Sequence, residues 1–158
     1  MKKKSVKTSD VLKVYNIIGQ AKFGKMADDE KIKAWKIARK LKPIATKFED
    51  DTKDAAEKFK EGFKDFDQRL QKAQEYERLK QNNDPTIDVM TTAEYDTFIK
   101  DFKKYQELCG KAVKEFADKK VEITFEKLSE ESFSKLAASN DWTLDQVTIA
   151  GEFICEEE

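Results

Sequence analysis

The chain of 158 residues has no histidine. That removes the side chain most often used as a general base near neutral pH and most often bound to transition metals. It also removes every Ser-His, Cys-His or Glu-x-x-His arrangement. The five glycines are scattered, so no Walker A loop or dinucleotide fingerprint can be assembled. The two cysteines, Cys109 and Cys155, lack metal-ligand spacing and read as reduced thiols of a cytoplasmic protein. Cys109 falls on an apolar seam and reads as a small core residue, while acidic neighbours disfavour a thiolate at Cys155. No apolar run reaches the roughly 18 residues that a membrane span requires. The basic start, MKKKSVKTSD, has no apolar segment behind it, so no signal peptide is expected. These absences predict a protein that is not an enzyme, with no catalytic residue, cofactor, metal or membrane partner.

What is present is charge and periodicity. The chain is 40% charged and 39% hydrophobic and contains eleven phenylalanines, a composition that suits long helices. Residues 1–47 carry 14 Lys/Arg against 4 Asp/Glu, and residues 118–158 carry 4 Lys against 11 acids. A basic front and an acidic rear either fold against each other or attract a partner, a nucleic acid or a second copy. Clustered acids such as those in DDTKDAAEKFKE lack the central glycine of a calcium loop. They lie on a helical pattern and read as a solvated face.

TSDVLKVYNIIG predicts a first helix, fraying near Gly19 and ended by Gly24. ADDEKI restarts a helix with Asp28 or Asp29 as N-cap. Apolar residues then recur in steps of three and four through Ile37, Leu41, Ile44, Phe48, Ala55, Phe59, Phe63, Phe66, Leu70 and Ala73. The pattern holds its phase through Pro43 and predicts helix over about 29–81, kinked at Pro43; two abutting helices are the rival reading. NNDP is turn chemistry, and TIDVM (86–90) is one possible strand. TTAE offers a capping box, Thr91 to Glu94, for a helix over about 92–119. Its seam of Tyr95, Phe98, Phe102, Tyr105, Cys109, Ala112 and Phe116 needs a partner helix, and the Phe-rich half of the preceding helix supplies one.

VEITFEKL changes period. Val121, Ile123 and Phe125 alternate with polar residues as in a half-buried strand, with KKSVK or another chain as its pairing edge. SEESFSKLAASN predicts a short helix capped by Ser129, and TLDQ predicts a second capping box before VTIAGEFI. The expected fold is mainly α: one domain over 1–158, with a long, kinked, coiled-coil-like antiparallel helical hairpin over 29–119. A small α+β module is formed by the two chain ends, 1–28 and 120–158.

Two sets of residues are candidates for partner contacts. Val121, Ile123 and Phe125 present a strand in need of an edge. Lys33, Lys36, Lys40 and Lys47 form a basic stripe on the helix around Pro43, with Arg39 and Trp35 on neighbouring faces, and suit phosphate or acidic-partner contacts. The chain has only three arginines (Arg39, Arg69, Arg78), which weakens base readout. Trp35 and Ile32 also read as the face on which the first helix packs.

The layout of SVKTSDVLKVYNIIGQ, EKIKAWKIARKLKPIATKFEDD, YDTFIKDFKKYQELCGKAVKEFADKKVEITFEKL and WTLDQVTIAGEFI resembles small bacteriophage and prophage proteins of unknown function encoded among head and tail genes. In that group a short N-terminal strand precedes the first helix, a helical hairpin follows, and a VxI-type strand comes after it. VEITF matches that strand, and SVK matches the first one poorly. The resemblance implies a phage structural or assembly role, exercised through contacts with head or tail proteins or with itself. It implies a place in the host cytoplasm or the virion, and supplies no catalytic residues. A phage-encoded inhibitor of a host protein and a nucleic-acid-binding accessory protein are the alternatives.

Overall fold

The computed structural model describes residues 3–84 and 88–157. Its elements run β1 (Lys4–Lys7), α1 (Thr8–Gly19), α2 (Asp28–Lys60), α3 (Phe66–Gln81), α4 (Thr92–Asp118), β2 (Lys120–Ile123), α5 (Glu130–Ala138) and α6 (Leu144–Ile154). The fold is mainly α with a small two-stranded antiparallel sheet. Two compact units form: residues 1–50 with 116–158, and residues 51–115. Both boundaries fall inside helices, α2 and α4, rather than at the loops flanking them.

In the first unit, β1 pairs with β2, Lys4 opposite Ile123 and Lys7 opposite Lys120. The edge for VEITF is thus supplied by KSVK of the same chain. The strand is shorter than its alternation suggests, and Phe125 lies beyond it. Thr8 extends the pairing: its amide and hydroxyl both donate to the Lys119 carbonyl, at 2.9 and 2.7 Å. One face of each surrounding helix closes the core. Val11, Val14 and Ile18 come from α1, Ala34, Ile37 and Leu41 from α2, and Leu136 and Ile154 from α5 and α6. Their three-and-four spacing is what puts each set on one stripe. Gly151 sits where α6 meets the Phe133 ring; a Cβ there would lie 3.2 Å from a ring carbon.

Polar contacts close this unit across long sequence separations. Asn140 accepts from the Lys22 amide at 2.8 Å and returns a bond to the Lys22 carbonyl at 2.9 Å. Ion pairs join front to rear at Lys3–Glu122, Lys7–Asp118, Lys33–Glu126 and Glu30–Lys135. Much of the charge asymmetry is therefore brought together within one unit. Ser129 caps α5, and Thr143 with Gln146 forms the capping box of α6. Helix α2 starts at Asp28, and the Ala27 amide before it donates to the Glu30 carboxylate at 2.8 Å.

Pro43 lies inside α2, which continues through it without a junction. The lost amide leaves the Arg39 carbonyl without its usual donor, yet the apolar phase on either side holds the helix together. One expectation about this helix fails. Ile32 and Trp35 are 52% and 53% exposed and do not carry α1. Helix α1 spends its apolar face on α6 and the common core, so α2 buries one stripe here instead of two.

In the second unit, the expected rod to residue 81 is interrupted. Residues 61–65 form turns, with the Gly62 amide on the Phe59 carbonyl and Asp65 in the left-handed region at φ 52°. Aspartate tolerates that conformation because its short polar side chain bonds locally. Helices α3 and α4 then form an antiparallel hairpin: Phe66 stacks near Phe102 and Tyr105 at one end, and Tyr76 stacks on Tyr95 at the other. Phe98 is fully buried between them. Thr91 and Glu94 make the expected capping box of α4. Of the strand suggested at 86–90, Thr86 and Ile87 lie outside the described residues. Asp88, Val89 and Met90 form no strand, and Met90 is buried in the aromatic core.

Candidate binding cleft

The chemistry of a site begins with how α2 is held. The Glu30 carboxylate accepts from the Ala27 amide, from the Ser132 hydroxyl at 2.9 Å and from the Lys135 ammonium at 3.2 Å. These bonds, with the Ala27 amide foremost and the Ser132 hydroxyl next, hold its carboxyl below the usual carboxylate range. The first turn of α2 is thereby fastened to α5. One turn further, Lys33 meets Glu126 at 2.8 Å, fastening α2 to the segment that follows β2. That bond raises the Lys33 ammonium and lowers the Glu126 carboxyl, and the field of Lys36 lowers Glu126 further.

Between α2 and this segment lies a cleft of about 660 Å³. That is within the usual range for ligand clefts. Its floor is apolar: Ile37, Pro43 and Phe125. Its rim is cationic: Lys36, Arg39 and Lys40, beside the Lys33–Glu126 pair. Among the described residues, Lys36, Arg39 and Lys40 form no ion pair. The Arg39 guanidinium lies over the exposed Trp35 ring, 5.2 Å from its centre. This stacking holds the guanidinium at the rim without neutralising it. Pro43 thus supplies an apolar wall between cationic neighbours on an uninterrupted helix.

Phe125 is also a wall of a second depression of about 580 Å³, where it stacks on Phe153 at 5.8 Å. Lys3, Lys4 and Lys127 there face Glu126, Glu156 and Glu157, so its charge is balanced.

The structure brings Lys33, Lys36 and Lys40 together with Phe125, joining two candidate sets that the sequence keeps separate. Lys47 is not part of the cleft lining. Ile123 is buried in the core, and Val121 packs against it half-buried, so these two side chains are engaged within their own unit. Glu126 was not singled out from sequence. Its alternation in VEITFE, opposite the basic stripe, was the available signal. Among the described residues no cluster of His, Cys, Asp or Glu is arranged to hold a metal ion. Burial, and next the nearby Glu130, push the Cys155 thiol up, which suppresses its thiolate at neutral pH. No described helix is long and apolar enough to cross a membrane. No family model, curated protein or solved structure matches the chain.

Proposed function

We propose that this chain is a non-enzymatic phage structural or assembly protein that works by protein–protein contact, seating an acidic segment of a partner in the cleft beside Pro43. The observation that carries the binding part is the set of Lys36, Arg39 and Lys40. They line one cleft together, without ion pairs among the described residues, while the neighbouring Lys33 is paired with Glu126. Cations without ion pairs around an apolar floor suit a ligand with carboxylates at its edge and an apolar body. The phage reading is supported by the resemblance of layout in the helical hairpin and the VxI-type strand, and with it goes a location in the host cytoplasm or the virion.

Nucleic acid is the second reading, because the same cations suit phosphates. Capture from lysates of phage-producing cells, with the wild-type chain and with Lys36→Glu/Lys40→Glu as baits, separates the two. The proposal expects a phage structural protein held by the wild type and lost by the charge reversal. A host protein captured instead makes the inhibitor reading the better one. Nucleic acid alone, released by nuclease, favours the accessory-protein reading.

A further inference from the structure

Between Ile123, the last residue of β2, and Leu128 lie Thr124–Lys127. Leu128 is itself tied down: its amide donates to the Ile154 carbonyl, and its carbonyl accepts from the Glu156 amide, both at 2.8 Å. The intervening segment is therefore held at both ends. Yet the backbone of Thr124–Lys127 makes no hydrogen bond to any described residue. Backbone that leaves its donors and acceptors unpaired beside a sheet edge is a template for another strand.

The direction of that edge follows from register. The Thr8 amide bonds the Lys119 carbonyl, and Val6↔Val121 and Lys4↔Ile123 are in phase with it. In an antiparallel ladder, alternate residues turn their amide and carbonyl away from the partner strand. Thr124 is such a residue, so its backbone groups turn away from β1. Thr124, Phe125 and Glu126 form one wall of the cleft whose other wall is α2. Among the described residues, a backbone edge without hydrogen-bond partners and three cations without ion pairs thus line the same space.

We propose that the cleft takes an extended acidic segment of a partner protein by strand addition along Thr124–Lys127, with carboxylates directed at Lys36, Arg39 and Lys40. The main-chain bonds supply affinity and the charged rim supplies selectivity, as in other β-augmentation sites. An acidic helix would satisfy the cations and leave the backbone edge bare. A nucleic acid strand would do the same, and the charge-balanced depression beyond Phe125 denies it a continuous cationic track. This inference rests on the acidic-partner reading above and adds the conformation of the ligand.

The test uses the full chain unaltered, so misfolding of a variant cannot imitate a result. The probes are a fluorescein-labelled peptide of alternating Glu and Val, its analogue N-methylated at every residue, and a single-stranded thymidine oligonucleotide. Binding is read by anisotropy, and pairing by amide hydrogen exchange at Thr124–Lys127. The proposal expects the peptide to bind and to slow exchange at Thr124 by about tenfold or more, with the N-methylated analogue at least about tenfold weaker. Equal binding of the two peptides with unchanged exchange at Thr124 overturns strand addition and leaves the acidic-partner reading standing. Failure of both peptides to bind, whether or not the oligonucleotide binds, overturns both.

Discussion

The two units solve the same problem by opposite means. The unit of residues 1–50 and 116–158 closes an aliphatic core with segments from both ends of the chain, and ties them with a sheet and backbone-directed side chains such as Thr8 and Asn140. The unit of residues 51–115 is continuous in sequence and packs aromatic rings in a helical hairpin. There Arg69 lies over Phe98 and pairs with Asp101 at 2.9 Å, and Lys60 lies over Phe66. Local contacts make the hairpin quick to form. The first unit must await closure over more than a hundred residues, as in the Thr8–Lys119 bond. What the slower route provides is a place where an early helix and a late strand face each other, and the cleft lies there.

The largest expected effect comes from emptying the aromatic core. Phe98→Ala removes the ring on which the hairpin closes and should destabilise the second unit by about 3–5 kcal/mol. Trp35 and Trp142, the two tryptophans, both belong to the first unit. Helicity by circular dichroism should therefore melt earlier than the tryptophan emission changes; coincident transitions would show that the units unfold as one. A smaller effect is expected from Asn140→Ala, which leaves the Lys22 amide and carbonyl without their partner. Because those groups are exposed to water, it should lower the tryptophan-reported unfolding free energy by only about 0.5–1.5 kcal/mol. A shift in the helical hairpin's transition instead would contradict the division of labour.

Titration distinguishes the units as well. Tyr95 donates to Glu77 on α3, and that bond, with burial second, pushes its phenol up to about 12. A group that binds its proton more tightly when folded stabilises the fold fully below its unfolded value near 10 and loses that contribution as pH rises through the folded one. Unfolding free energy should therefore fall between about pH 10 and about 12. Tyr95→Phe should remove that part of the fall. Glu30 has the opposite sign. Its carboxyl is held low, so its contribution is present above the ordinary glutamate range and disappears as pH drops through the folded value. Chemical denaturation of Glu30→Gln across acidic pH should show a flatter profile than the wild type, with the change in tryptophan emission.

Much of this architecture was legible in residue spacing. The seam of α4, the phase through Pro43, and the boxes at Thr91–Glu94 and Thr143–Gln146 are local patterns, and local patterns survive folding because the groups that satisfy them are three or four residues away. The break at 61–65 was missed because the apolar phase carries across it. Gly62 and the left-handed Asp65 were the signals, and neither outweighs periodicity when read alone. The exposure of Ile32 and Trp35 was missed for a different reason. Which neighbour an apolar face meets is a tertiary fact, and α1 had another use for its own face. The cleft was half legible. Its lysines and Phe125 were each marked, but only the antiparallel pairing of β1 with β2 places the segment after β2 beside α2.

The most direct test of the account is a salt titration of acidic-peptide binding to the wild-type chain and to Lys36→Glu/Lys40→Glu. Both substituted side chains are exposed, so the variant should keep its stability to within about 0.5 kcal/mol. The account predicts wild-type affinity that falls as salt rises, and a loss of at least about tenfold on charge reversal at low salt. Equal affinity of the two proteins for the peptide would contradict it.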